Sequence, residues 1–127
     1  MSASSDFVEG QCYTRQQIHD LLGGDMQSFL PHKDGRIVCA CLTSDLNQDA
    51  PSKVLVGDGL KVKGSAEILA SQKEAVPVFL KTEAKRWEFV GLWSCSGTSV
   101  DAGEIKVEQQ RSGRADISMI LKLSKVR

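Results

Sequence analysis

Hydrophobic and polar positions change period several times along this chain, and each change marks an element. Ile18, Leu21 and Leu22 recur at i, i+3 and i+4, which is one stripe of a helix. Thr14 precedes the stripe and Gln17 follows three residues later, as in a capping box, so the pattern predicts a helix over 15–22. Gly23-Gly24 ends it, and residues 25–35 read as a loop. The run from Arg36 to Thr43 is almost continuously apolar and predicts a strand buried on both faces. A polar loop follows, then a short strand at Val54-Leu55-Val56 that turns at Gly57-Asp58-Gly59. A second helix is expected over 65–74, capped by Ser65, with Ala66, Leu69 and Ala70 facing inward. Val76 to Lys81 reads as a strand, with Pro77 near its start, where the missing donor is tolerated. Trp87 to Ser94 is the next strand, and parity places Trp87, Phe89 and Trp93 on one face. Residues 96–103 read as a loop. The segments 104–110 and 115–125 read as a closing hairpin around Arg111-Ser112-Gly113-Arg114. In the last strand Ile117, Met119, Leu121 and Leu123 point to the core, and Ile120 breaks the alternation.

Two helices and about six strands, joined without a βαβ repeat, predict an α+β fold. The expected form is a small, partly closed β-barrel with both helices packed on it. At 127 residues the chain is read as a flexible lead over residues 1–9 and a single domain over 10–127. With 41% hydrophobic and 25% charged residues it has the composition of a globular protein, not of a disordered one. No apolar run approaches the roughly 20 residues that span a bilayer. The first residues carry neither a basic nor an apolar signal region, so the expected compartment is the cytoplasm.

Little in the chain points to catalysis or to a metal. Cys39 and Cys41 lie two apart in an apolar run, which does not favour a bond between them, and with Cys12 and Cys95 they read as reduced core thiols. There is no Cys-x-x-Cys pair, and His19 and His32 stand at no ligand spacing from the cysteines, so neither metal nor cofactor is expected. No Gly-x-Ser-x-Gly elbow is present, and the expectation is a protein without catalysis of its own. The segment from Gly57 to Gly64 fits no phosphate-loop pattern. It is either a tight turn or a strand edge that brings Lys61 and Lys63 to a ligand's phosphates. Asp45, Asp49 and Asp58 are either turn residues or a cluster that would have to converge to hold a cation. The row of Trp87, Phe89 and Trp93 reads first as core and second as a platform for stacking bases. The net charge is zero, yet residues 1–59 hold four basic against eight acidic side chains and residues 60–127 hold twelve against eight. That asymmetry allows a basic face on a neutral protein.

The order of these segments resembles the SRA-like branch of the PUA-like β-barrels. Gly10, Tyr13 and Arg15 match the family's opening before the first helix. The strand over 37–42, the acidic loop over 44–49 and Leu55-Val56-Gly57 with Gly59 match its central strand, acidic loop and Tyr-Thr-Gly strand. Val76 to Leu80 and Phe89-Val90-Gly91 match its later strands. Gln17-Ile18-His19 before Gly23-Gly24 is most similar to SRA-like domains attached to bacterial HNH restriction endonucleases. The resemblance spans about residues 8–125.

It implies a reader of modified bases in DNA, which flips a modified cytosine into a pocket at a cost of a few kcal/mol. Asp45 or Asp49 would accept from the cytosine amino group. Leu55 and Val56 stand where the family has its sandwiching tyrosine and the adjacent threonine. With Asp58 they would line the pocket. Lys61, Lys63, Arg111 and Arg114 would contact phosphates, and Arg15 would pin the helix to the barrel. DNA is then the implied partner, no membrane is implied, and a nuclease would be a separate chain or domain. A leucine packs but does not stack, so the pocket is either remodelled or no longer takes a base. The alternative is a small-molecule or protein interaction module on the same barrel.

Overall fold

The computed structural model describes residues 7–44, 47 and 49–126. A short strand, β1 (Cys12–Tyr13), leads into α1 (Arg15–Leu22). The helix begins where Thr14 and Gln17 predict it, and both bonds of the capping box are made. It ends at Gly23 and Gly24, with φ of 80° and 78°, values that favour glycine. Of the predicted stripe Ile18 is buried, whereas Leu21 is exposed. Phe7, in the segment expected to be a flexible lead, is buried against Phe79 and Phe89.

The segment expected to be a loop holds a two-stranded hairpin, β2 (His32–Lys33) and β3 (Arg36–Ile37). Its turn residues Asp34 and Gly35 both have positive φ, as a two-residue hairpin loop requires. The apolar run is therefore cut: Arg36 and Ile37 pair within the hairpin, and the sheet strand β4 covers Ala40–Thr43. Next come β5 (Lys53–Val56) and α2 (Leu60–Ser71). Gly59 is the N-cap of α2, so the helix starts ahead of Ser65, and Lys61 and Lys63 sit in its first turn rather than in a loop. Gly64 lies inside α2, where a Cβ would meet nothing within 4 Å. Gly64→Ala is therefore expected to raise stability by about 0.5–1 kcal/mol, measurable by urea denaturation.

The hairpin of β6 (Val76–Glu83) and β7 (Arg86–Ser99) follows. β7 runs through the segment expected to be a loop because it pairs along β8 (Met119–Lys125) as far as Ser99. Between Phe89 and Leu92 it spends three residues where β6 spends two, from Pro77 to Phe79. Gly91, at φ 106°, lies within this bulge. The extra residue reverses the parity. Trp87 and Phe89 pack on one face, while Trp93 packs on the other with Val90. Where a strand over 104–110 was expected, the chain forms α3 (Ala102–Ser112). Asp101 caps it by accepting from the Glu104 N–H at 2.9 Å, and Gly113 closes it at φ 74°. The closing unit is thus helix and strand, not a hairpin.

The sheet order is β4-β6-β7-β8-β5, with β1 beside β7 and only β4–β6 parallel. Among the described residues it is a nearly closed, barrel-like sheet with three helices, and its seam lies between β4 and β5. Alternation sorts the core. Ala40, Leu42, Val54, Val56, Val76, Val78, Leu121 and Leu123 share the interior cluster, which Ala66 and Leu69 of α2 complete. Cys39, Cys41, Phe79, Trp87 and Phe89 face outward under α1 and pack on Ile18. Leu55, Ile117 and Ile120 face outward under Ile105 of α3, which accounts for Ile120 breaking the core alternation and moves Ile117 out of the interior. All four cysteines are free thiols. Contact with Cys41, then burial, pushes the Cys39 thiol up, so it stays protonated at neutral pH.

Candidate nucleic-acid interface

The expected site residues separate into three groups. Asp45 lies outside the described residues. Asp49 and Arg111 are brought together: the guanidinium donates to both carboxylate oxygens, at 3.0 and 3.4 Å. Arg111 also donates to Glu108, which accepts from Lys53 at 3.1 Å. Glu108 is 5% exposed, and the two cations explain how a carboxylate is tolerated there. Hydrogen bonds from Arg111 hold the Asp49 carboxyl below the usual aspartate range. Arg114 is tied similarly, donating to Asp116 at 3.2 Å and to the Leu55 carbonyl at 3.3 Å. The Arg114 hydrogen bond likewise lowers the Asp116 carboxyl. Both arginines therefore brace α3 and the segment after it against the β5 side of the barrel.

Leu55 and Val56 were expected at a pocket wall, and their side chains are core instead. Leu55 packs beneath Ile105, and Val56 is wholly buried in the interior. Asp58 is exposed beyond the end of β5. Lys61 is exposed and Lys63 half-buried, both in the first turn of α2. That turn has no acidic residue and no side-chain cap, so two cations sit at the positive end of the helix dipole. Among the described residues no group of three His, Cys, Asp or Glu side chains could hold a metal ion. No described helix is long and apolar enough to cross a membrane.

A second constellation was not foreseen. Arg15 and Lys81 approach the Trp87 ring at 5.4 and 5.7 Å, cation–π distances in both cases. Trp87 itself is 8% exposed, so it is a floor and not an open stacking platform. Arg15 also donates to the carbonyls of Asp25 (3.2 Å) and Ser28 (3.1 Å), so it pins the loop after α1. That loop is folded on Asp25, whose carboxylate accepts from the backbone N–H groups of Gln27 and Ser28. Partial burial works to raise the Asp25 pKa, and the hydrogen bonds from Ser28 and Gln27 outweigh it, leaving the pKa lowered. Together these parts enclose a cavity of about 370 Å³ at the carboxyl end of β4, lined also by Phe29, Thr43 and Asn47. It adjoins a cavity of about 910 Å³ that shares Gln27 and Phe29 and reaches His32 and Lys61. Arg15 and Lys81 line the smaller cavity, and Lys61 lines the larger one together with Asp25. Regular pairing around the 84–85 turn would set Thr82 opposite Trp87; a register shift between Lys81 and Glu83 brings Lys81 there instead, so the sequence carries no direct cue to the contact.

No family model matches the sequence, and no curated protein matches it. Solved structures do, and what they show is that the fold is similar to that of SRA domains. The SRA domain of SUVH5 in complex with hemimethylated CG DNA matches with a TM-score of 0.60 at 14% identity, covering 94% of this chain and 89% of that one. The same domain with methylated CHH DNA matches at a TM-score of 0.54 and 15% identity, covering 94% of each chain. The sulfur-binding and SRA domains of ScoMcrA, complexed with phosphorothioated DNA, match at 0.54 and 14% identity, covering 92% of this chain and 39% of that one. Whole ScoMcrA, a phosphorothioation-dependent type IV restriction endonuclease, is matched over 27% of its length, with 92% of this chain covered at a TM-score of 0.53 and 16% identity. At these identities the likeness establishes the fold.

Proposed function

We propose that this chain is a DNA-binding module that reads modified duplexes and has no catalysis of its own. The observation that carries the reading is the match of nearly the whole chain to an SRA domain in complex with hemimethylated DNA. The two adjoining cavities support it, because a chain of zero net charge places Arg15 and Lys81 in one and Lys61 in the other. The first turn of α2 supports it too. Lysines there are unfavourable to the helix by about 0.3–1 kcal/mol each, and a phosphate at that position offsets the cost. Lys61 and Lys63 are the proposed phosphate contacts. Arg111 and Arg114 are proposed as secondary ones, since each is engaged with carboxylates of its own chain. Asp45 or Asp49, of the acidic loop, is the proposed acceptor from a base amino group. A cleaving activity would come from a separate chain or domain, by analogy with the multidomain nuclease that this chain matches in part.

Fluorescence anisotropy with labelled duplexes tests the reading. One duplex is unmodified, one carries 5-methylcytosine and one carries phosphorothioate, each measured at two salt concentrations. A modified duplex is expected to bind more tightly, with affinity falling as salt rises. Lys61→Glu/Lys63→Glu is expected to weaken all duplexes equally, by about tenfold or more, and to flatten the salt dependence. Equal binding to all three would remove modification reading. Absence of binding at low salt would sink the DNA assignment.

A further inference from the structure

We propose that the cavity at the end of β4 is a nucleotide site, with the phosphate held between Arg15 and Lys81 and the base against Phe29. This deepens the DNA-binding reading and rests on it: it names what the interface takes in, and where. Three observations carry it. First, no carboxylate is among the described residues lining this cavity, and neither Arg15, which donates to two carbonyls, nor Lys81 is in an ion pair among the described residues; the Asp25 carboxylate belongs to the lining of the adjoining cavity. Two cations beside one indole repel each other, and the ring face offsets only part of that. An anion seated between them removes the repulsion. Apolar walls around the pair strengthen its field.

Second, the remaining lining has the character of a base site. Phe29 supplies a half-exposed aromatic face, while Gln27 and Thr43 supply donors and acceptors for a base edge. The volume of about 370 Å³ falls within the usual range for small-molecule sites. Third, Leu55 and Val56 cannot supply the wall, because α3 and the barrel interior cover them. Asn47 stands between the two places, lining the cavity while accepting from the Leu55 N–H. The chain thus offers a ligand the Trp87 side of Asn47, not the Leu55 side.

The test uses Trp87 as reporter in a Trp93→Phe background, which leaves it the single tryptophan. The protein is titrated with cytidine 5′-monophosphate, with cytidine and with inorganic phosphate. The nucleotide is expected to shift Trp87 emission saturably and to bind at least about tenfold more tightly than either fragment. Lys81→Glu, an exposed position, is expected to cost about tenfold in nucleotide affinity, the scale of one charge-assisted hydrogen bond. Circular dichroism checks that this variant is folded. A duplex with one unpaired cytidine and its fully paired counterpart then compete for the site. Stronger competition by the former assigns the nucleotide to DNA, and competition by the monophosphate alone assigns it to a free nucleotide. Equal affinity for nucleotide and phosphate, or indifference to Lys81→Glu, overturns the proposal. Duplex binding with no nucleotide binding overturns it while the DNA reading stands. Nucleotide binding with no duplex binding does the reverse.

Discussion

Phe79→Ala is expected to lower the unfolding free energy by about 3–5 kcal/mol, measured as a fall in the urea midpoint at constant m-value. Phe79 is completely buried on the outer face of β6. It is the hub of an aromatic cluster, with ring centroids at 4.9 Å from Phe7, 5.4 Å from Phe89 and 6.2 Å from Tyr13. Two of those contacts are edge-on, an arrangement that adds about 0.5–1.5 kcal/mol per pair beyond buried area. The neighbours come from the N-terminal segment, β1 and β7, so the cavity could close only by moving three separate elements. Domains of this size hold roughly 5–15 kcal/mol in total, so the variant should be near the edge of folding. Phe79→Leu, which keeps most of the volume, should lose far less. A loss under about 1 kcal/mol for the alanine variant would mean that Phe7 and Tyr13 do not pack on Phe79 as described.

Local signals in the sequence were read correctly where the chemistry is local. The Thr14–Gln17 capping box involves residues three apart, and it fixed the start of α1. The apolar strands β4, β5 and β6 were visible for the same reason, and with them the barrel class. The errors arose where tertiary pairing overrides local pattern. Residues 104–110 alternate apolar and charged side chains like a strand, but β8 takes β7 and β5 as its partners and leaves them outside the sheet. Asp101 and Gly113 were available as cap signals and outweigh that alternation. Gly91 was available as a bulge signal, since a glycine inside a strand often marks one. Parity across it therefore failed for Trp93.

The site was legible only in part, because its geometry is long-range. Asp49 and Arg111 are 62 positions apart, and no spacing rule joins them. The expected phosphate contacts Lys61 and Lys63 lie in the first turn of α2, but the cavity at the end of β4 draws on Arg15, Gln27, Thr43, Lys81 and Trp87, five separate stretches of chain. Leu55 and Val56 have a physical consequence at the positions where the resemblance implies a tyrosine and a threonine. Leu55 lets α3 pack over the strand through Ile105, while Val56 fills the barrel interior, so both positions are covered.

Asn47→Ala is the second large effect expected, a loss of about 1–3 kcal/mol, the cost of leaving a buried backbone donor without a partner. The sheet is open between β4 and β5, and a strand edge there presents unpaired backbone groups. Asn47 closes part of that gap with its side chain. Its Oδ1 accepts from the Leu55 N–H at 2.7 Å, while its own N–H donates to the Thr43 carbonyl at 3.0 Å. One residue thereby ties the end of β4 to the middle of β5, and at 5% exposure water cannot readily replace it. Alanine keeps the backbone bond to Thr43 and removes the side-chain ones, the longer of which, from Nδ2 to the Thr43 carbonyl, is 3.5 Å, so the damage should be concentrated at Leu55. Amide exchange distinguishes this from general loosening. The Leu55 amide should lose more protection than Val54 or Val56, whose side chains stay in the interior cluster. Uniform loss across all three would place the weakness in the core and not at the seam.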